Sequence, residues 1–289
     1  MKVLSLFDGI SCGMVALKRL NFTVEVYDAY EIEENAIKIS QHNYPEINHK
    51  GDVFKAEYTE GQYDLLIGGS PCTFWSISQK PDARETTSSG LGWDLFSQYV
   101  RALNDVKPKY FLYENNKSMS KDIRECITSI LGVEPIHINS KLVSAQSRDR
   151  LYWTNIPNVG QPEDKGILLK DILESGSVDR DKSLCLCRRY AGFQGSQSYL
   201  CRRYFGKSFA QAVFEGDIDE IKNKWKENPR FDSDEVNIRR MSVVECERLQ
   251  TLPDNYTNVE GVSDNMKIEC IGNGWTVDVI AHVLSNIKN

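Results

Sequence analysis

The chain has 289 residues, 40% hydrophobic and 26% charged, a balance that excludes wholesale disorder. That length fits one large domain, or a large and a small one. No apolar run reaches the roughly 18–20 residues needed to cross a bilayer. The net charge of −6 excludes a globally basic nucleic-acid binder, so any such contact must come from a local patch.

The N-terminus MKVLSLFDGISCG reads as a buried first strand rather than a signal peptide. Eight cysteines without framework spacing suit a reducing compartment. In chain order, VLSLF (3–7) predicts a strand, followed by Gly9, Gly13 and a helical pattern to Leu20. VEVYDAYE (24–31) predicts a second strand, IEENAIKISQHN (32–43) a helix, and Lys50–Phe54 a weak strand. DLLIGG (64–69), a helix over Leu95–Val106, KYFLYE (109–114) and a helix over Ser118–Leu131 come next. PIHINSKL (135–142) and RLYWTN (150–155) read as the last strands. This alternation indicates an α/β fold with a doubly wound, mostly parallel sheet.

Between about 156 and 238, Pro157, Gly160, Pro162, Gly166, Gly176, Gly192 and Gly195 punctuate the chain and the alternation stops. That stretch reads as a second, smaller domain. Helical patterning returns in MSVVECERLQ and WTVDVIAHVLSNI.

One repeat stands out. Leu186-Cys-Arg-Arg-Tyr-Ala-Gly192 recurs fourteen residues later as Leu200-Cys-Arg-Arg-Tyr-Phe-Gly206. Asp179–Phe209 holds seven basic residues against two acidic. Arg188, Arg189, Arg202 and Arg203, interleaved with tyrosines, suit phosphate contact and base stacking. The alternative is a duplicated hairpin with a cationic face. Cys185, Cys187 and Cys201 lack a nearby histidine or a CxxC pair, which argues against zinc.

The chemistry-bearing residues gather at predicted strand ends. The turn Phe7-Asp-Gly-Ile-Ser-Cys-Gly13 follows the first strand, where glycines let a ligand approach the backbone; a tight structural turn explains it as well. Glu31 lies about 20 residues further on, where this architecture places an acid on ribose hydroxyls. Asp52, at the end of the third strand, could accept from an adenine amino group. Together these favour a nucleoside-containing cofactor. Gly68-Gly-Ser-Pro-Cys-Thr73 carries Cys72 out of the sheet edge as a candidate nucleophile. Glu114, closing an apolar strand, is a candidate proton donor.

FDGISCG, GGSPC, YEN, QSRDR, RLQTLP and IGNGW occur in this order. Together they resemble the ordered motifs of the DNA (cytosine-5)-methyltransferase family. The resemblance covers roughly residues 1–155 and 239–289 and implies a Rossmann-like, S-adenosylmethionine-dependent catalytic domain (1–156 and 239–289). Residues 157–238 would then form a small target-recognition domain. It further implies that Cys72 attacks cytosine C6 while Glu114 protonates N3. Arg148 would sit beside Cys72 and the flipped nucleotide, with Arg150 supporting it.

By the same resemblance, Phe7, Asp8, Gly9, Ile10 and Gly13 line the cofactor. Glu31 and Ile32 meet its ribose, and Asp52 and Val53 its adenine. Pro71, Leu95, Asn273, Gly274 and Trp275 complete the pocket, and S-adenosylhomocysteine is the product. Double-stranded DNA is the implied substrate, in a bacterial or phage setting and in the cytoplasm. A companion restriction endonuclease and the oligomeric state stay open. The sequence departs from the family pattern at Thr73, at Asn116 and at Trp275. The tRNA-methylating branch is the runner-up, but its usual Cys-Phe-Thr element is absent. If the CRRY patch contacts phosphates, DNA affinity falls with rising salt. A flat response in a titration of duplex binding would overturn that assignment.

Overall fold

The computed structural model describes residues 1–76, 82, 84–188, 190, 197–206, 211–229 and 237–287, without the side chains of Cys72 and Ser198. Packing divides the chain into two units. The first comprises Met1–Asn139, Asp149–Pro162 and Val277–Asn289, and the second Ser140–Arg148 and Glu163–Thr276. Among the described residues, no helix is long and apolar enough to cross a membrane.

The first unit is built on a seven-stranded sheet. Its strands are β1 (Lys2–Leu6), β2 (Val26–Tyr30), β3 (Asn48–His49), β4 (Leu65–Gly68), β5 (Tyr110–Asn116), β6 (Ile136–Asn139) and β7 (Asp149–Thr154). They lie in the order β3-β2-β1-β4-β5-β7-β6. Only β7 runs against its neighbours. The link from β6 to β7, Ser140–Arg148, is too short for the crossover that parallel strands need.

Helices α1 (Cys12–Arg19), α2 (Glu34–Asn43), α3 (Leu91–Val106), α4 (Lys121–Leu131) and α9 (Val277–Leu284) belong to this unit. Tyr113 anchors its core, with its ring centroid 5.2 Å from Phe96, 4.8 Å from Tyr99 and 5.8 Å from Trp153. Helix α1 packs close because Gly13 has no side chain. A Cβ there would lie 2.3 Å from Ile67 Cδ1 and 2.9 Å from the Tyr27 hydroxyl.

Several boundaries differ from the sequence expectation. The third strand is only Asn48–His49, and Lys50–Phe54 is not extended. Gly51 turns left-handed (φ 79°) and Asp52 caps a 3-10 turn, Val53–Lys55, by accepting the Phe54 N–H at 3.0 Å. Helix α3 starts four residues earlier than its apolar pattern suggests. Helix α4 starts later, because Ser120 caps it through the Ile123 N–H.

The second unit holds α5 (Gln197–Phe205), β8 (Val213–Phe214), α6 (Ile218–Glu227), β9 (Ile238–Arg239), α7 (Val243–Leu249) and α8 (Asp264–Asn273). Leu200, Cys201, Tyr204, Ala212, Phe214, Ile221 and Ile238 form a small core of their own. Residues 239–276, expected with the first domain, pack in this unit. Buried Gln146 explains why: its Nε2 donates to Leu249 O (2.6 Å) and Gln250 Oε1 (2.9 Å). Gln250 in turn donates to Ile271 O (2.9 Å) and Gly274 O (3.1 Å), satisfying carbonyls at the end of α8.

Gly272 lets another backbone cross α8. A Cβ there would lie 2.7 Å from Cys187 C and 2.8 Å from Arg188 N, both main-chain atoms. In an open helix, Gly→Ala stabilises by roughly 1 kcal/mol. Here Gly272→Ala should instead destabilise by about 1–3 kcal/mol. Urea denaturation measures it, and a gain in stability would contradict the crossing.

Candidate active site

The carboxyl ends of β4 and β5 lie side by side, with Gly68 opposite Tyr113 in parallel register. Gly68 is required by close approach: its Cβ would sit 2.9 Å from Leu6 O and 3.0 Å from the Tyr99 ring. The chain then turns through Gly69-Ser-Pro71 into a 3-10 turn, Cys72–Phe74. That turn is tied to β5. The Ser70 hydroxyl and the Tyr113 hydroxyl are hydrogen-bonded at 2.7 Å. Asn115 Nδ2 donates to Ser70 O and to the Tyr113 oxygen, both at 3.1 Å. Asn115 Oδ1 accepts from Asn116 N at 2.8 Å and from Asn116 Nδ2 at 3.1 Å. Ser70 and Tyr113 escaped the sequence reading; their signal was a hydroxyl inside otherwise apolar strand ends.

Glu114 lies on β5, 8% exposed. Its Oε1 accepts from Arg150 Nε at 2.9 Å, with both side chains nearly enclosed. The register brings them together, since Glu114 faces Tyr152 and Asn116 faces Arg150 on antiparallel β7. The sequence expectation made Arg150 a support for Arg148. It grips Glu114. Arg148 falls just before β7, which begins at Asp149, and backbone carbonyls hold its guanidinium instead.

At the end of β1, Phe7 (φ 58°), Gly9 (φ 59°) and Ser11 (φ 60°) are left-handed. Asp8 holds this turn together. Its Oδ1 accepts from Ser5 Oγ (2.6 Å) and Tyr27 Oη (2.7 Å), and its Oδ2 from Ser11 Oγ (2.5 Å). Asp8 was expected to line a cofactor, but its carboxylate organises the loop from inside. Ile10 is fully buried and Gly13 serves packing. Gly9 faces open space, with nothing within 4 Å of a Cβ placed on it.

Glu31 follows β2. Its Oε2 accepts the Gly9 N–H at 2.8 Å, and its Oε1 the amides of Ile32 (2.8 Å) and Glu33 (2.9 Å). Burial raises the Glu31 pKa, partly offset by those amides. Ile32 is 73% exposed beside it, and Phe54 is 48% exposed beside Asp52. Val53 is buried, Pro71 exposed, and Leu95 half-buried against the core.

The remaining expected residues lie in the second unit. Arg148 is 4% exposed. Its Nη1 donates to Leu186 O (2.8 Å) and its Nη2 to Gly274 O (2.9 Å), with Gly272 O at 3.4 Å from each. A cation at the carboxyl end of α8 also complements the helix dipole. Asn273 is exposed, while Gly274 and Trp275 are half-buried.

The two CRRY copies differ, so they are not a duplicated hairpin. In the first, Tyr190 is buried; its hydroxyl donates to Gln211 O at 2.8 Å and accepts the Met241 N–H at 2.6 Å. Arg188 pairs with Glu269, and Arg189 lies outside the described residues. The second copy lies in α5, where Leu200, Cys201 and Tyr204 face inward and Arg202 and Arg203 are exposed.

A family model for C-5 cytosine-specific DNA methylases matches residues 1–133 and 188–289. The chain belongs to that family. It is 31% identical over 169 residues to the orphan methyltransferase M.SPRI of Bacillus phage SPR; that match takes in 54% of the chain. The chain spans only 38% of that phage enzyme. The type II methyltransferase M.FnuDI of Fusobacterium nucleatum is 28% identical, with 100% of the chain and 94% of that protein covered. Among solved structures, a DNMT2 variant from Spodoptera frugiperda superposes with a TM-score of 0.72 at 18% identity, covering 99% of the chain and 98% of its own. That likeness speaks to the fold, a Rossmann-like methyltransferase sheet as expected.

Burial raises the pKa of Asp8, with its three hydroxyl donors opposing. A raised acid binds its proton more tightly folded than unfolded, so its contribution to stability is lost as pH climbs through the folded pKa. The Asp8→Asn variant should therefore gain stability relative to wild type as pH rises above the ordinary carboxylate value of about 4. A pH-independent difference in denaturation free energy would refute it.

Proposed function

We propose that the chain transfers a methyl group from S-adenosylmethionine to C5 of a cytosine flipped out of double-stranded DNA, through a covalent adduct with Cys72. One observation carries the reading. Glu114, gripped by Arg150, stands at the end of β5 beside the β4 turn that bears Cys72.

The residues at the neighbouring edge fit the cofactor. Gly9 leaves open space at a left-handed turn, and Glu31 offers a carboxylate of the kind that accepts from ribose hydroxyls. Asp52 can accept from the adenine amino group, and the exposed Ile32 and Phe54 give that base apolar surroundings. When bound, the cofactor supplies an electrophilic methyl group.

Cytosine C5 is a poor nucleophile until the ring is activated. The Cys72 thiolate adds to C6 while Glu114 gives a proton to N3, so the ring electrons gather at C5. After C5 is methylated, a base takes the C5 proton, the C6–S bond breaks to return the Cys72 thiolate, and N3 gives its proton back to Glu114. Arg150 fixes the direction of the Glu114 carboxylate. Ser70, Tyr113 and Asn115 hold the Cys72 turn against β5. The base leaves its stack to reach such a site, as enzymes acting on a base require.

In the second unit, Arg202 and Arg203 on α5 would meet DNA phosphates, a positioning contact rather than a sequence-reading one. Arg188 is already paired. A bacterial or phage-infected cytoplasm suits the cysteine usage. A restriction endonuclease as companion follows only from the type II name of M.FnuDI.

Whole-genome cytosine-methylation sequencing of a methylation-free bacterial host tests this. Wild type should mark one short motif, and Cys72→Ala none. Cys72→Ser should lose turnover yet keep cofactor binding, and Glu114→Gln should lower kcat by about 10²–10⁴-fold. Arg150→Ala should lower kcat less than Glu114→Gln. Wild-type turnover from Cys72→Ser would sink the covalent route.

A further inference from the structure

Helix α3 is clamped at two places, and each clamp holds a different part of the proposed site. Near its start, Glu85 folds back over the helix. Its N–H donates to Phe74 O at 2.9 Å, and its Oε2 accepts from Trp75 Nε1 (3.3 Å) and Gly92 N (3.1 Å). Two glycines make room for that carboxylate. A Cβ on Gly92 would lie 2.6 Å from Oε2, and one on Gly90 2.5 Å from Oε1. Phe74 closes the 3-10 turn that Cys72 opens, and Trp75 follows it.

Further along the helix, Arg101 reaches the other turn. Its Nη1 donates to Ala56 O at 2.8 Å and its Nη2 to Val53 O at 3.0 Å. Its Nε donates to Gln98 Oε1 at 3.0 Å, and the guanidinium lies 5.2 Å from the centre of the Tyr58 ring. The two carbonyls bracket the 3-10 turn Val53–Lys55, which Asp52 caps from the front. Gly92 and Arg101 are about 13 Å apart along the helix axis. Phe96 and Tyr99 are fully buried in between, and Ala102 and Val106 just beyond Arg101. Phe96 and Tyr99 pack on Tyr113, the residue before Glu114. A helix so embedded cannot slide without repacking the core.

We propose that Arg101 and Glu85 are positioning residues that make α3 a rigid spacer between the cofactor turn and the nucleophile turn. Arg101 sets cofactor affinity by fixing the Asp52–Val53 turn. Glu85 sets turnover by fixing the segment that follows Cys72. The inference rests on the proposed use of S-adenosylmethionine.

Calorimetric binding of S-adenosylhomocysteine to the full chain reads the first clamp without needing activity. Arg101→Ala should weaken that binding about tenfold or more, as for lost hydrogen bonds from a charged group. Its kcat at saturating cofactor should stay within about threefold of wild type. Arg101→Lys should recover only part of the affinity, since an ammonium lacks the planar fork that spans both carbonyls. Glu85→Gln should show the reverse: unchanged binding and a kcat lowered about tenfold.

Wild-type affinity in Arg101→Ala overturns the proposal. So does a parallel fall of affinity and kcat in both variants that tracks loss of Tm, the mark of a merely structural role. If the wild-type chain itself binds no S-adenosylhomocysteine, the cofactor reading has failed. That result is told apart because it precedes any substitution.

Discussion

Strands β1, β4 and β5 are covered on both faces, and this constraint decides where chemistry can occur in the first unit. Leu4, Leu6, Leu65, Leu66, Ile67, Leu112 and Tyr113 are each fully buried. Side chains that must meet a ligand can therefore emerge only past the strand ends, as is general for doubly wound sheets. Asp8, Glu31, Ser70, Cys72 and Glu114 all fall at or just past the carboxyl ends of parallel strands. The left-handed residues Phe7, Gly9 and Ser11 show how sharply the chain turns once it leaves β1.

The Glu114–Arg150 pair is the most exacting consequence. Enclosing two charges costs several kcal/mol per ion, which their mutual attraction offsets only in good geometry. Reversal of β7 supplies that geometry, because it sets Arg150 on the strand beside Glu114. Removing either side chain would take from the other the opposite charge that offsets its enclosure. The pair therefore contributes direction to the carboxylate more than net stability.

The second unit solves a different problem, the satisfaction of carbonyls at the end of α8. Arg148 and Gln250 supply donors to Gly272, Gly274 and Ile271, and Gln146 fixes Gln250. Two glutamines and an arginine from distant sequence motifs thus act as one buried network. Such networks are costly when partly satisfied and rigid when complete. The two CRRY copies show that identical short sequences need not share a role. One tyrosine hydroxyl is a buried bridge to Gln211 and Met241. Its counterpart, Tyr204, is bonded to Asp179 and lies under Arg180.

By itself, the sequence determined the order of strands and helices, the mostly parallel sheet, and the glycine turns. Local propensity and apolar periodicity dictate those features over a few residues. The GGSPC turn and the acid on β5 were legible for the same reason, because each interrupts an apolar strand at its end. Only the tertiary structure decided the rest. Arg150 pairs with Glu114, and Asp8 turns inward on three hydroxyls. Residues 239–276 pack with the second unit, and Gly272 exists for a crossing backbone. Each depends on which segments meet across long sequence separations, and no local pattern encodes such meetings. A charged side chain looks the same in sequence whether it faces water or a carbonyl; burial chooses between them, because an enclosed donor must find a partner.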